Sequence, residues 1–106
     1  MIKIIIRGTT TDITFDTGLD CTAFDLLAVT FSQAGQEVLT KKITDCNIDG
    51  DKITVSLTEE ETLLFDCAKN PIEMQIRAGE GKYRIASDVM ITKAGRILRE
   101  GCLNEI

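Results

Sequence analysis

The sequence predicts an all-β fold in which two sheets pack face to face. Three observations predict it: apolar and polar residues alternate with a period of two in several short segments, turn residues separate those segments, and only one stretch has helical spacing. A length of 106 residues is typical of one domain, and a content of 43% hydrophobic and 27% charged residues is typical of a globular protein.

Strict alternation defines the strands. The segments "LLAVTFS", "KITVSLT" and "IEMQIRA" each place three apolar residues on one face and polar or small residues on the other. The residues predicted to face inward in these segments are Leu27, Val29, Phe31, Ile53, Val55, Leu57, Ile72, Met74 and Ile76. The segment "YRIASDVMI" is predicted to continue the pattern, with Tyr83, Ile85, Val89 and Ile91 facing inward.

Glycine-containing turns separate these strands. Gly35 in "QAGQ" and both glycines of "GEGK" predict hairpins, because glycine adopts the positive φ of tight turns without steric cost. Gly8 in "RGTTT" is predicted to let an edge strand bend from one sheet to the other. About seven short strands with frequent turns predict an immunoglobulin-like β-sandwich over residues 1–92, followed by a C-terminal tail over residues 93–106 that packs on an edge or on a partner.

One short helix is predicted to connect strands. The segment "LTEEETLLFDCAKNP" predicts about two turns, opened by Thr58 with Glu61 three residues later and ended by Pro71. A face made of Leu64, Cys67 and Ala68 is expected to be common to both turns. The three consecutive glutamates of the first turn are explained by the positive end of the helix dipole, and no catalytic role is assigned to them.

The acidic stretch "DCNIDGD" matches the first half of a calcium-binding loop. Its candidate metal ligands are Asp45, Asn47, Asp49 and Asp51. The twelfth position of such a loop requires a glutamate that binds with both oxygens, and Ser56 stands there. The segment that follows alternates as a strand does, whereas a calcium loop is flanked by helices. A hairpin turn is the favoured interpretation, with weak incidental calcium binding as the alternative.

Composition argues against most other kinds of site. The chain has no histidine, which removes the usual general base and the commonest ligand of catalytic zinc, and its four cysteines form no C-x-x-C pair. The cysteines are expected to be reduced thiols, mostly buried. A net charge of −5 with scattered basic residues argues against a nucleic-acid partner and against a basic membrane-binding face. We therefore expect no enzyme, no catalytic residues, no cofactor, and no nucleic-acid or membrane partner.

Five stretches together resemble one group of proteins. They are "IIIRGTTTDITFD", "VTFSQAGQEVLTKKI", "SLTEEETLLF", "MQIRAGEGKYRIASDVMI" and "GRILREG", and they span most of the chain. They resemble the immunoglobulin-like N-terminal domain of baseplate upper proteins and related tail components of phages and prophages of Gram-positive bacteria. This sequence has Thr11 where that group usually has proline, and it ends soon after the predicted sandwich, so we expect no receptor-binding portion.

The resemblance implies a structural component of a virion with no catalytic residues. Its expected partners are copies of itself or other virion subunits, and the alternative is a small binding module that recognises a cell-surface glycan or protein through its loops. Enzymatic use of paired acids is a third, weaker possibility. Partner contact is expected from Arg96, Ile97, Leu98 and Leu103, unless these residues cover an edge of their own domain.

The expected location follows from two absences. No apolar run is long enough for a membrane span, and no signal-peptide core is present. The resemblance and this observation together imply synthesis in a bacterial cytoplasm, followed by incorporation into a virion.

Overall fold

The computed structural model describes residues 4–106, and strands dominate them, which confirms the predicted all-β class. The only α-helix of this range is the single turn Glu59–Thr62 (α1), and 3₁₀ turns lie at Ile43–Asp45, Cys67–Lys69 and Leu103–Glu105. The strands are Ile5–Ile6 (β1), Thr11–Asp16 (β2), Leu26–Gln33 (β3), Gln36–Lys42 (β4), Cys46–Asp49 (β5), Lys52–Leu57 (β6), Ile72–Glu80 (β7), Tyr83–Ala86 (β8), Met90–Thr92 (β9) and Ala94–Gly95 (β10).

Two antiparallel sheets form the sandwich. The three-stranded sheet has the order β2-β6-β5, and the five-stranded sheet has the order β4-β3-β7-β8, with β9 also paired to β7. This matches the immunoglobulin arrangement, in which strands B, E and D form one sheet and strands C′, C, F and G form the other. Strand β1 pairs in parallel with β10, outside both sheets.

The nine residues predicted to face inward on β3, β6 and β7 are all buried. They meet Ile13 and Phe15 of β2 between the sheets, together with Phe65 from the segment after α1. The rings of Phe31 and Phe65 pack edge to face with centroids 5.9 Å apart. The alternation in the sequence therefore correctly predicted the core residues of β3, β6 and β7.

Of the four residues predicted to face inward in "YRIASDVMI", only Ile85 packs against the core, and in the second half of the segment the two faces are exchanged. Two strands form there, and between the pairs Arg77↔Ala86 and Met74↔Met90 strand β7 advances three residues while the opposing chain advances four. One extra residue reverses which face each later side chain takes. Met90 is thus half-buried, while Val89 and Ile91 are exposed. Tyr83 is exposed as well, and Ile85 is half-buried against the core.

The helix is one turn long, not two. Its predicted cap is present: the Thr58 hydroxyl accepts from the Glu61 amide at 3.2 Å, and the Glu61 carboxylate accepts from the Thr58 amide at 2.9 Å. The second turn fails because the Asp66 amide donates to the side chain of buried Gln33 at 2.8 Å, which draws the chain away from helical bonding. Phe65 enters the core in consequence.

The predicted helical face is therefore also wrong. Leu64 and Ala68 are exposed, and Cys67 is only half-buried, within a separate 3₁₀ turn. This segment still carries the chain from one sheet to the other, from β6 to β7, as predicted.

Hairpin turns lie where the glycines predicted them. Ala34 and Gly35, with φ of 51° and 77°, form the two-residue turn between β3 and β4. In "GEGK" only Gly81 has a positive φ, whereas Gly79 lies inside β7. Gly8, with φ of 74°, lets the chain leave β1 and enter β2.

Candidate functional site

The acidic stretch over residues 45–51 is a hairpin, as favoured by the sequence. Asp49 pairs with Lys52, so Gly50 and Asp51 form a two-residue turn between β5 and β6. Gly50 has a φ of 61°, a value that glycine adopts without strain. The Asp, Asn and Gly residues that match a calcium loop are therefore explained by the preference of these residue types for turns.

The four candidate ligands do not converge. Asp45 lies in the 3₁₀ turn before β5, where its carboxylate accepts from the Lys42 amide at 3.1 Å. Strand β5 separates it from Asp49 by about 13 Å at 3.3 Å per residue. Asn47 lies between them on the exposed side of the strand, opposite Thr54.

The carbonyl oxygens of the turn are also engaged. Gly50 accepts from the Cys21 amide at 2.8 Å, and Asp51 accepts from the Thr17 amide at 2.9 Å. A calcium loop uses such oxygens as ligands. These contacts direct them instead into the loop that follows β2.

A lysine supplies the positive charge of this region. Lys52 Nζ lies 3.3 Å from Asp51 and 3.8 Å from Asp16. The hydrogen bond to Asp51, with the charges of Asp16, Asp51 and Asp49, raises the pKa of Lys52. Within residues 4–106 no three His, Cys, Asp or Glu side chains are grouped so as to hold a metal ion. Weak calcium binding here stays a prediction for titration.

The tail residues predicted to contact a partner take different positions. Ile97 is half-buried and packs over Gly8, where an added Cβ would lie 3.0 Å from Ile97 Cδ1. Leu98 and Leu103 have 94% and 74% of their surface exposed. Arg96 is also exposed. One apolar residue thus covers its own domain, while two others face solvent.

Arg7 anchors the tail, a role that the sequence did not reveal. Its guanidinium donates to the carbonyls of Phe65 at 2.6 Å and Leu63 at 3.1 Å, and it forms an ion pair with Glu100 at 2.6 Å. The side chain is only 17% exposed. One guanidinium therefore joins β1, the end of α1 and the tail. Arg7 is part of the "RGTT" segment, but the residues next to it in the sequence do not indicate that its hydrogen-bond partners lie more than fifty positions away.

The tail has two further attachments. The Leu103 amide donates to the Glu59 carboxylate at 2.9 Å. Cys102 is buried beside it, and burial, followed by the charges of Glu59 and Glu105, raises the pKa of its thiol. Ala94 and Gly95, which the sequence assigned to the tail, pair with β1. The tail is thus held to the domain at both ends.

Polar contacts also join α1 to the strands. The Thr62 hydroxyl, fully buried, donates to the Thr9 carbonyl at 2.8 Å and accepts from the Thr9 amide at 3.1 Å. Glu61 forms an ion pair with Lys41 at 2.6 Å. Burial acts to raise the pKa of Glu61, but hydrogen bonds from Lys41 and Thr58 outweigh it and lower the pKa overall.

An apolar cleft of about 230 Å³ opens between β2 of one sheet and β8–β9 of the other. Phe15, Phe24, Ile85 and Met90 are among its lining residues. All four cysteines are free thiols, Cys21 and Cys102 buried and the other two half-buried. No catalytic role is assigned to the cleft.

Comparison with protein-family models found no match, and comparison with curated proteins likewise found none. No helix among the described residues is long and apolar enough to cross a membrane.

Proposed function

We propose that this protein is a non-enzymatic structural component of a phage or prophage virion, an assembly module of tail or baseplate type. The resemblance of its strand and turn phrases to that group motivates the proposal. The observation that carries it is the pair of exposed leucines, Leu98 and Leu103, on a tail whose backbone is anchored to the domain. An apolar pair held in this way is suited to contact another subunit.

The anchoring matters energetically. Binding costs free energy for each segment that must become ordered, and a segment already held in place avoids part of that cost. The Arg7–Glu100 ion pair holds the chain between Leu98 and Leu103, and the Glu59–Leu103 hydrogen bond holds the backbone of Leu103 itself. Burying a leucine side chain in a partner contributes roughly 1.5–3 kcal/mol. Two such residues supply a useful part of a subunit contact.

The first test is the composition of particles. We expect the protein to be present at a fixed copy number in purified particles from an induced lysogen that encodes it, measured by quantitative mass spectrometry. Its absence from intact particles, with normal expression in the cell, would contradict the proposal.

The second test concerns the tail. Deletion of residues 93–106 would remove β10 and buried Ala94 and Cys102 as well as the leucines, so point changes are preferable. We expect Leu98→Ser with Leu103→Ser to reduce incorporation into particles while the melting temperature stays the same. Leu19→Ser is the matched control, since Leu19 is 48% exposed in a distant loop. Equal incorporation of the tail variant and the control would show that the tail makes no contact.

The alternative function is a small binding module that recognises a cell-surface glycan or protein through its loops. A glycan array and a pull-down with host wall fractions test it. Retention by either, together with absence from particles, favours the binding module over the virion component.

A further inference from the structure

The solvent side of the five-stranded sheet has a regular arrangement of charge. We call this surface the outer face. The register of β4, β3 and β7, with the residues that pair to them, places its side chains in successive rows across the strands. The outer face consists of Leu26, Ala28, Thr30, Ser32, Glu37, Thr40, Lys42, Glu73, Gln75, Arg77, Gly79, Arg84, Ala86, Val89 and Ile91.

One end of the outer face is basic. Lys42 and Arg77 flank Ala28 in one row, and Arg84 lies over Gly79 in the next row. A Cβ on Gly79 would lie 2.5 Å from Arg84 Nη1, so the glycine makes room for the guanidinium. Within residues 4–106 none of these three basic side chains forms an ion pair.

The other end is acidic. Glu37 and Glu73 flank Ser32 in one row. Neither glutamate forms an ion pair with the described part of the chain, and Glu37 accepts one hydrogen bond, from Thr40 at 3.0 Å. Ile91 is paired opposite Glu73 and is 63% exposed.

The middle row is neutral. Thr30 and Thr40 share a hydrogen bond of 3.2 Å, Gln75 lies opposite Thr30, and exposed Val89 lies next to Gln75 at the edge. Along β7, Glu73 and Arg77 each lie two residues from Gln75, so opposite charges stand about 6.7 Å on either side of the middle row. Along β4, Lys42 and Glu37 flank Thr40 in the same sense, with a bulge on the Glu37 side.

We propose that the outer face binds the same face of a second copy of this chain, around a two-fold axis that runs across the strands through the middle row. This rotation places β7 against β7 in the opposite direction, so Arg77 meets the second copy's Glu73 and Lys42 meets its Glu37. A closed dimer of this kind uses one surface patch on both copies. That this dimer forms between virion subunits rests on the proposed function. The dimer itself is inferred from the charge pattern of the outer face and does not depend on that function.

Charge selects this orientation over the alternative. A two-fold axis parallel to the strands would set each basic row against the basic row of the second copy, and like charges in contact disfavour that arrangement. Small side chains at Ala28, Thr30 and Ser32 allow the sheets to approach each other closely. The exposed apolar residues Leu26 and Ile91 lie at opposite ends, and Val89 lies at the edge of the middle row; each contributes apolar area to the contact.

The size of the outer face predicts a weak dimer. Strands β4, β3 and β7, with β8 and β9 sharing a fourth position, lie about 4.8 Å apart over about eight residues of length, and they present roughly 500 Å² per copy, or about 1,000 Å² in total. That lies at the lower limit of specific interfaces, so association in the micromolar range or weaker is expected. Because the attraction is between exposed charges, added salt should weaken it.

The decisive experiment uses two charge reversals, Glu73→Lys and Arg77→Glu. Each variant alone places like charges opposite each other in the dimer, and we expect its dissociation constant to rise about tenfold or more. An equal mixture of the two variants restores opposite charges at both contacts. We therefore expect sedimentation velocity at low salt to show dimer in the mixture and monomer in each separate solution.

Asp12→Lys is the matched control. It makes the same change of charge as Glu73→Lys, at an exposed position on the other sheet, and should leave association unchanged. Circular dichroism verifies that every variant is folded. A wild-type protein that stays monomeric at high concentration overturns the proposal, as does a mixture that associates no better than its components. If the wild-type protein is monomeric yet present in particles, the outer-face contact is wrong while the virion role stands.

Discussion

Two acid-rich segments of this protein differ sharply in what surrounds them. In the turn over residues 45–51 the carboxylates face solvent, and Asp51 shares Lys52 with Asp16 of the neighbouring strand. In α1, Glu61 is bonded to Lys41 and to the Thr58 amide, and Glu59 is bonded to the tail. Each of the two stretches contains three carboxylates. The difference shows that the role of a charged cluster depends on what packs against it.

We call α1, with the segments that are bonded to it, the α1 junction. Its polar side chains are covered by other segments and contribute to holding the fold together. Arg7, Thr62 and Glu61 each have hydrogen-bond partners distant in sequence. Removing one partner of a buried polar group costs more than removing an exposed ion pair. Substitutions in the junction should therefore destabilise the fold, and substitutions in the acidic turn should not.

The largest expected effect is that of Arg7→Met, which keeps much of the apolar stem but removes three hydrogen-bond contacts. We expect a loss of about 2–4 kcal/mol in the free energy of unfolding, since two carbonyls lose their donor. Urea denaturation measures it. Trypsin should also cleave more rapidly after Arg96 or Arg99, because the tail loses its ion pair with Glu100. Lys52→Met in the acidic turn is the control, with an expected loss below about 0.5 kcal/mol. Equal losses would remove the distinction between the regions.

The next largest effect is that of Thr62→Val. The valine fits the volume but leaves the amide and carbonyl of Thr9 without their partner, and we expect a loss of about 1–3 kcal/mol. Thr54→Val is the control, because Thr54 shares its hydroxyl hydrogen bond with Thr14 on the exposed side of the sheet. If the two valine variants unfold at the same urea concentration, burial of the Thr62 hydroxyl contributes nothing.

A smaller effect that depends on pH is expected for Glu61→Gln. Glutamine retains the cap of α1 but loses the charge that attracts Lys41, so we expect a loss of about 1 kcal/mol at pH 7. The pKa of Glu61 is lowered in the folded state, so its contribution is present above the unfolded pKa and is lost as the pH falls through the folded value. The difference between variant and wild type should thus disappear in acid. Glu60→Gln, at an exposed neighbour, provides the control; a difference that persists at pH 2 would contradict the assignment.

The smallest effect concerns calcium. The turn over residues 45–51 has an ammonium group beside its carboxylates and its carbonyls are engaged, so we expect millimolar calcium to leave the melting temperature unchanged. Magnesium at the same concentration corrects for ionic strength. A rise specific to calcium that Asp49→Asn abolishes would establish a metal site here.

The sequence by itself determined the strands whose faces are set by alternation. On β3, β6 and β7, every second residue is apolar, and pleating alone sends those residues to one side. The cap of α1 and the hairpin turns were equally predictable, because their hydrogen bonds and φ values involve residues at most three positions apart. These features are local, and local sequence contains the information that specifies them.

Only the tertiary structure decided the rest. Gln33 ends the helix early by bonding to Asp66, an extra residue turns Met90 inward, and Arg7 joins segments that are far apart in the chain. The tail likewise divides into covered and exposed residues according to where β1 and α1 lie beneath it. Each outcome depends on a partner brought close by folding, and no spacing along the chain encodes which partner that is.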